Sequence, residues 1–123
     1  MGQHTVEKIG GTSMSDYRSV RDNIIFKPAQ ENNMYQRVFV VSAYSGMTDK
    51  LLEHKKTGDA GVFALFAQER KQNNWFPALQ DVRSAMLDIN HSLFEEGELR
   101  HKADAFLNSR LQEAQECLED LHR

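Results

Sequence analysis

Lys8, Gly10, Gly11, Thr12 and Ser13 fall together in the run Val6-Glu-Lys-Ile-Gly-Gly-Thr-Ser13, and their types suit the binding of an oxyanion. Two adjacent glycines can take backbone angles closed to other residues, so their N–H groups can converge on an anion with no Cβ in the way. A helix that begins just beyond them aims the positive end of its dipole at the same point. Lys8 adds a mobile full charge, the usual partner of a phosphate. The run lacks the Gly-x-x-x-x-Gly-Lys-Ser/Thr pattern of a P-loop and the spaced Gly-x-Gly-x-x-Gly of dinucleotide folds. Taken alone, a glycine pair after a strand reads equally well as a plain tight turn.

The elements around this run set its geometry. Thr5 to Ile9 reads as a first strand, and Asp16 to Phe26 as an amphipathic helix with Tyr17, Val20, Ile24 and Ile25 on one face. Ser13-Met-Ser-Asp16 has the spacing of a helix N-terminus, with either serine as cap. Pro28 should end the helix near Lys27. After a polar connection, Ala29 to Tyr35, the run Arg37-Val-Phe-Val-Val-Ser42 is rich in β-branched residues and predicts a strand buried on both faces of a parallel sheet. Strand, helix and strand form a βαβ unit with a right-handed crossover. A second small-residue turn, Ser42-Ala-Tyr-Ser-Gly-Met-Thr48, then leads into a helix from Asp49 to about Lys56. Both turns should lie side by side at the carboxyl edge of the sheet, where open α/β sheets bind ligands.

The remainder reads as helical. Thr57-Gly-Asp-Ala-Gly61 is a turn, Val62 to Gln68 a short apolar helix, and Glu69 to Asn74 a polar loop. Trp75, Leu79, Val82, Met86, Ile89 and Leu93 recur at alternating fours and threes, which predicts a long helix ended by Glu95-Glu-Gly97. A second helix runs from Glu98 to the terminus with Ala103, Leu107, Leu111, Ala114, Leu118 and Leu121 inside, giving an antiparallel hairpin.

Composition narrows the function classes. The chain has 123 residues, 40% hydrophobic and 27% charged, about one small domain. A net charge of −3 with both signs interspersed gives no basic stripe for nucleic acid, and no apolar run approaches membrane-spanning length. One cysteine, Cys117, excludes an internal disulfide and agrees with a reducing cytoplasm; its place in a helical pattern reads as a small packed side chain. The five histidines show no metal-like i, i+4 pairing, so no metal site is expected.

Together the two loops, Lys8-Ile-Gly-Gly-Thr-Ser13 and Val41-Ser-Ala-Tyr-Ser-Gly-Met-Thr-Asp49, resemble the N-terminal signatures of aspartokinases, members of the amino acid kinase superfamily. In that family a Lys-Phe-Gly-Gly-Thr-Ser loop precedes a Val-Ser-Ala-x-Ser-Gly-x-Thr-Asp/Asn turn, and Ile9 stands here for the usual Phe. The run Leu51 to Ala67 is similar to the branch associated with ectoine biosynthesis, beside the lysine, threonine and methionine branch. The resemblance implies an α/β fold, the N-terminal portion of an amino acid kinase fold: a strand-helix-strand unit with parallel strands, then a mostly helical segment ending in a long hairpin. It implies that residues 1–123 are the N-terminal part of an aspartokinase catalytic domain, the rest and the ACT domains lying beyond Arg123, and that the chain alone should be inactive or nearly so. Glu98 is no substitute for the family's substrate-recognising acid, because no serine precedes it in register.

By the same resemblance, Lys8 would contact the transferring phosphoryl group of ATP, supplied with Mg2+. Gly10, Gly11, Thr12 and Ser13 would hold its oxygens. Ser42, Ala43 and Thr48 would hold L-aspartate, whose side-chain carboxylate attacks to give 4-phospho-L-aspartate. The enzyme would be cytoplasmic and, in its full-length form, a homo-oligomer. Two other readings are a helical interaction module burying the Trp75 to Leu93 stripe against a partner, and a superfamily member acting on another carboxylate or carbamate. The Ser-Gly-Met-Thr-Asp turn argues against the last.

Overall fold

A computed structural model describes residues 4–26, 35–68 and 73–122. The chain is α/β and divides into two compact units, Met1–Gly46 and Met47–Arg123. The first unit carries strands β1 (Thr5–Ile9) and β2 (Arg37–Val41), paired parallel with Lys8 opposite Val40 and Ile9 opposite Val41. Ser42 prolongs the ladder by donating its N–H to the Ile9 carbonyl at 3.0 Å.

Between the strands the backbone turns helical at Gly11, five residues earlier than the amphipathic pattern indicates. Helix α1 (Gly11–Met14) is followed by α2 (Tyr17–Val20), and the path then widens into a π-helical turn, Arg21–Ile25. Neither serine caps these helices. Gly10 is the N-cap of α1, and Asp16 caps α2 by accepting the Ser19 N–H. The polar side chain wins because a carboxylate at the cap accepts from both the amide and the hydroxyl of Ser19. The expected stop at Lys27 and the connection up to residue 34 lie outside the described residues.

The face of the sheet that carries Glu7 and Ile9 holds the core of this unit, where Ile9 and Val20 are buried. Its other face is open: Val6, Val38 and Val40 are 70, 48 and 47% exposed. The strand expected to be buried on both faces is therefore covered on one, and there only in part, since Val41 beside Ile9 is 58% exposed; this unit has no second layer among its described residues.

In the second unit, α3 spans Met47–Leu51, starting before Asp49 and ending well before Lys56. A short antiparallel bridge, Glu53 with Ala60, closes the turn that follows. Helices α4 (Val62–Gln68), α5 (Trp75–Leu93) and α6 (Glu98–Leu121) agree with the sequence expectation. Their core is Val62, Trp75, Leu79, Val82 and Leu111, with Leu107, Leu118 and Met86 packed against it. Trp75 is 2% exposed, and its indole N–H bonds His122 Nε2 at 3.1 Å. The stripe on α5 from Trp75 to Met86 is thus packed inside the chain, with Ile89 and Leu93 half-buried beyond it, which leaves little of the surface that an interaction module would need. Ala114 and Leu121, expected inside, are exposed, and so is Cys117. The last turns of α6 are covered on one side only, where Leu118 packs on the core and His122 meets Trp75 and Phe66, and these three residues lie off that side. No helix among the described residues is long and apolar enough to cross a membrane.

Candidate functional site

The glycine turn sits where β1 hands over to α1. Gly10 is extended, with φ −74° and ψ 165°, and Gly11 is already helical. Neither uses the left-handed angles that the pair could have supplied; in the second loop Gly46 does, at φ +80°. Gly11 is required for a different reason. A Cβ there would lie 3.0 Å from the Ala43 carbonyl oxygen and 3.6 Å from Ser42 Oγ, so only glycine lets the two loops touch without displacement. A Cβ at Gly10 would meet nothing within 4 Å.

Because the chain enters α1 extended, the N–H groups of Gly11, Thr12 and Ser13 have no carbonyl one turn back to bond. They form a set of donors suited to an oxyanion. Beside them an open groove of about 440 Å³ runs along the helices, lined by Thr12, Ser13, Asp16, Ser19 and Asn23 over a floor of Val20 and Ile24. Asp16 stays ionised there, since the hydroxyl and then the amide of Ser19 hold its carboxyl below the usual carboxylate range.

Lys8 is exposed and lies on the open face of the sheet with Val6, Val38 and Val40. It forms no ion pair with any carboxylate among the described residues, so its ammonium is available. Its strand is fixed from the other face. Arg37 donates to both Glu7 carboxylate oxygens, at 2.7 and 2.8 Å, and also to the carbonyls of Ile24 and Ile25. One guanidinium thus joins β1, β2 and the π turn, and its fork geometry suits that task as an ammonium would not. The Arg37 hydrogen bonds hold the Glu7 carboxyl below its ordinary range, while Glu7 raises Arg37.

Of the residues expected at the site, Lys8, Gly10, Gly11, Thr12, Ser13, Ser42 and Ala43 all belong to the first unit, and Gly11 meets Ser42 and Ala43 directly. Thr48 belongs to the second unit, in the first turn of α3. Sequence reasoning missed Ser15, whose Oγ donates to the Gly11 carbonyl and accepts the Ser45 N–H, each at 3.2 Å. Its position four residues after Gly11 was the available signal, but the Ser-x-x-Asp spacing pointed to capping instead. Among the described residues no group of three or more His, Cys, Asp or Glu could hold a metal ion.

The chain is 51% identical over 120 residues to Aspartate kinase Ask_Ect of Stutzerimonas stutzeri (strain A1501). The match takes in 98% of this chain and 25% of that protein, so the chain spans about a quarter of its relative's length. No family model and no solved structure matches the chain.

Proposed function

We propose, from the premise that this chain is a homologue of an aspartate kinase, that it supplies the phosphoryl-holding and acceptor-holding loops of an ATP-dependent kinase acting on L-aspartate. The observation that carries the reading is the close approach of the two signature loops at Gly11 and Ala43, where a Cβ on Gly11 would stand 3.0 Å from the Ala43 carbonyl oxygen. MgATP would be a substrate, its metal arriving on the phosphates. The Gly11, Thr12 and Ser13 amides would take the oxygens of the transferring phosphoryl group, with Gly10 leaving room for its approach and Lys8 neutralising charge. Ser42, Ala43 and Thr48 would hold aspartate.

The chemistry asks little else of the protein. A side-chain carboxylate oxygen attacks the γ-phosphorus, the bond from that phosphorus to the β-phosphate bridging oxygen breaks, and ADP leaves with its electron pair. The product is 4-phospho-L-aspartate. An aspartate side chain is ionised near pH 7, so no general base is needed; the work is in-line placement and positive charge on the equatorial oxygens. We place the reaction in the cytoplasm, at the entry to aspartate-derived amino acids or to ectoine.

Lys8→Ala tests the reading. Titration of the chain with MgATP, followed at the Gly10 to Ser13 amides by NMR, should show affinity falling about 10- to 100-fold, as expected for losing one charge-assisted contact. Equal affinity in the variant would overturn the assignment of Lys8 and of the loop.

A further inference from the structure

The hydroxyl of Ser15 links the two loops by a chain of hydrogen bonds with one direction. Ser45 donates its N–H to Ser15 Oγ at 3.2 Å, and Ser15 Oγ–H donates to the Gly11 carbonyl at 3.2 Å. The Gly11 carbonyl shares its peptide group with the Thr12 N–H, one of the donors that α1 leaves unbonded. Hydrogen bonds in series polarise one another: an amide that donates through its N–H becomes a better acceptor through its carbonyl. An anion seated on the Thr12 N–H therefore strengthens the Ser15 bond to Gly11, and Ser15 Oγ in turn becomes a better acceptor for Ser45.

We propose that Ser15 is a positioning residue that reports occupancy of the glycine turn to the second loop, tightening Ser42 to Ser45 when a phosphoryl group is bound. This rests on the nucleotide reading given above and adds order to it: the acceptor side is organised by the donor side. The missing Cβ at Gly11 serves the same end, since the Ala43 carbonyl would stand only 3.0 Å from it, leaving the second loop close enough for the Ser45 amide to reach Ser15. Ser15 holds no ligand itself in this scheme.

The test compares the 123-residue chain with Ser15→Ala and Ser15→Thr, using NMR of backbone amides with and without MgATP. In the ligand-free chain, Ser15→Ala should speed exchange at the Ser45 amide roughly 2- to 10-fold, the value of one net hydrogen bond, while Val40 and Ile9 amides in the ladder stay unchanged. In the unsubstituted chain MgATP should move the Ser45 amide proton downfield together with the Gly10 to Ser13 amides. Ser15→Ala should keep the shifts at Gly10 to Ser13 and lose that at Ser45, and Ser15→Thr, which keeps the hydroxyl, should restore it. A role confined to stability would leave the MgATP response at Ser45 in place. Unchanged Ser45 exchange in Ser15→Ala, or an unchanged Ser45 response to MgATP, overturns the proposal. If MgATP moves none of the Gly10 to Ser13 amides in the unsubstituted chain, the nucleotide reading fails and the signalling role with it. The ligand-free exchange still decides separately whether Ser15 fastens the loop.

Discussion

At Gly10 and Gly11 the same residue type answers to two different demands. Gly10 has an extended backbone that alanine accepts, and open space where a Cβ would go. Gly10→Ala should therefore leave thermal stability unchanged or raise it by up to about 1 kcal/mol, through a less flexible unfolded chain. On the proposed function its methyl group nevertheless occupies room needed by the phosphoryl group, so MgATP affinity should drop while the melting temperature does not. Gly11→Ala should behave in the opposite sense. Its Cβ would press on the Ala43 carbonyl at 3.0 Å, and relief requires the second loop to move by a few tenths of an ångström. We expect a loss of about 1 kcal/mol, the balance of overpacking against reduced chain entropy, with amide shifts concentrated at Ser42 to Ser45. Paired melting and MgATP titrations on the two variants check both statements. The sequence displayed the glycine pair plainly, but not this division of labour. Which glycine is demanded by contact depends on Ala43, thirty-two residues away from Gly11, and on Gly10 proving extended rather than left-handed.

At the scale of elements, what could be read in advance tracks whether an element's ends are decided locally. Helices α5 and α6 are long and periodic, and their junction carries a glycine at φ +151°, so pattern and punctuation agree. Helix α3 is different: Gly61 approaches from ten residues further on and seals its C-terminal end. A Cβ on Gly61 would lie 2.5 to 2.8 Å from the carbonyl oxygens of Asp49, Lys50 and Leu52, so Gly61→Ala should destabilise the second unit by about 2 kcal/mol or more, measurable by urea denaturation. The π turn at Arg21–Ile25 is likewise fixed by Arg37 from the far side of the connection, beyond the reach of any local window. The hairpin adds a pH dependence. Asp104 accepts from Asn90 Nδ2 at 3.0 Å and faces His91 Nε2 at 3.1 Å. The Asn90 bond first, then His91, keeps its carboxyl below the ordinary value of 3.8. The unfolded chain therefore takes up this proton before the folded one, and the stabilisation, complete above about pH 4, fades as pH falls through the folded value. Helicity monitored across pH 2–6 should show an acid loss that Asp104→Asn flattens.

At the scale of the whole molecule, the two units bury their apolar residues unequally. The second closes its core on Trp75, Leu79 and Val82, whereas the first leaves Val6, Val38 and Val40 on an open sheet face. The run Arg37 to Ser42 has the composition of a strand covered on both sides; that composition does not reveal that this unit leaves the Val38 and Val40 side open. A face of β-branched residues on a sheet of two strands favours pairing with another apolar surface. Lys8 in its midst sets a limit, since burying its ammonium without a partner is costly. Association should thus be weak, and it should strengthen when salt screens the repulsion between Lys8 ammonium groups on facing sheets. Sedimentation velocity of the chain over a range of concentrations should show a rising average mass, larger at high salt. Val38→Thr with Val40→Thr, which keep β-branching and so the strand, should abolish the rise while leaving the melting profile of the second unit in place. A concentration-independent mass for the unsubstituted chain would mean that the valine face is tolerated in water as it stands, with Lys8 alone enough to keep copies apart.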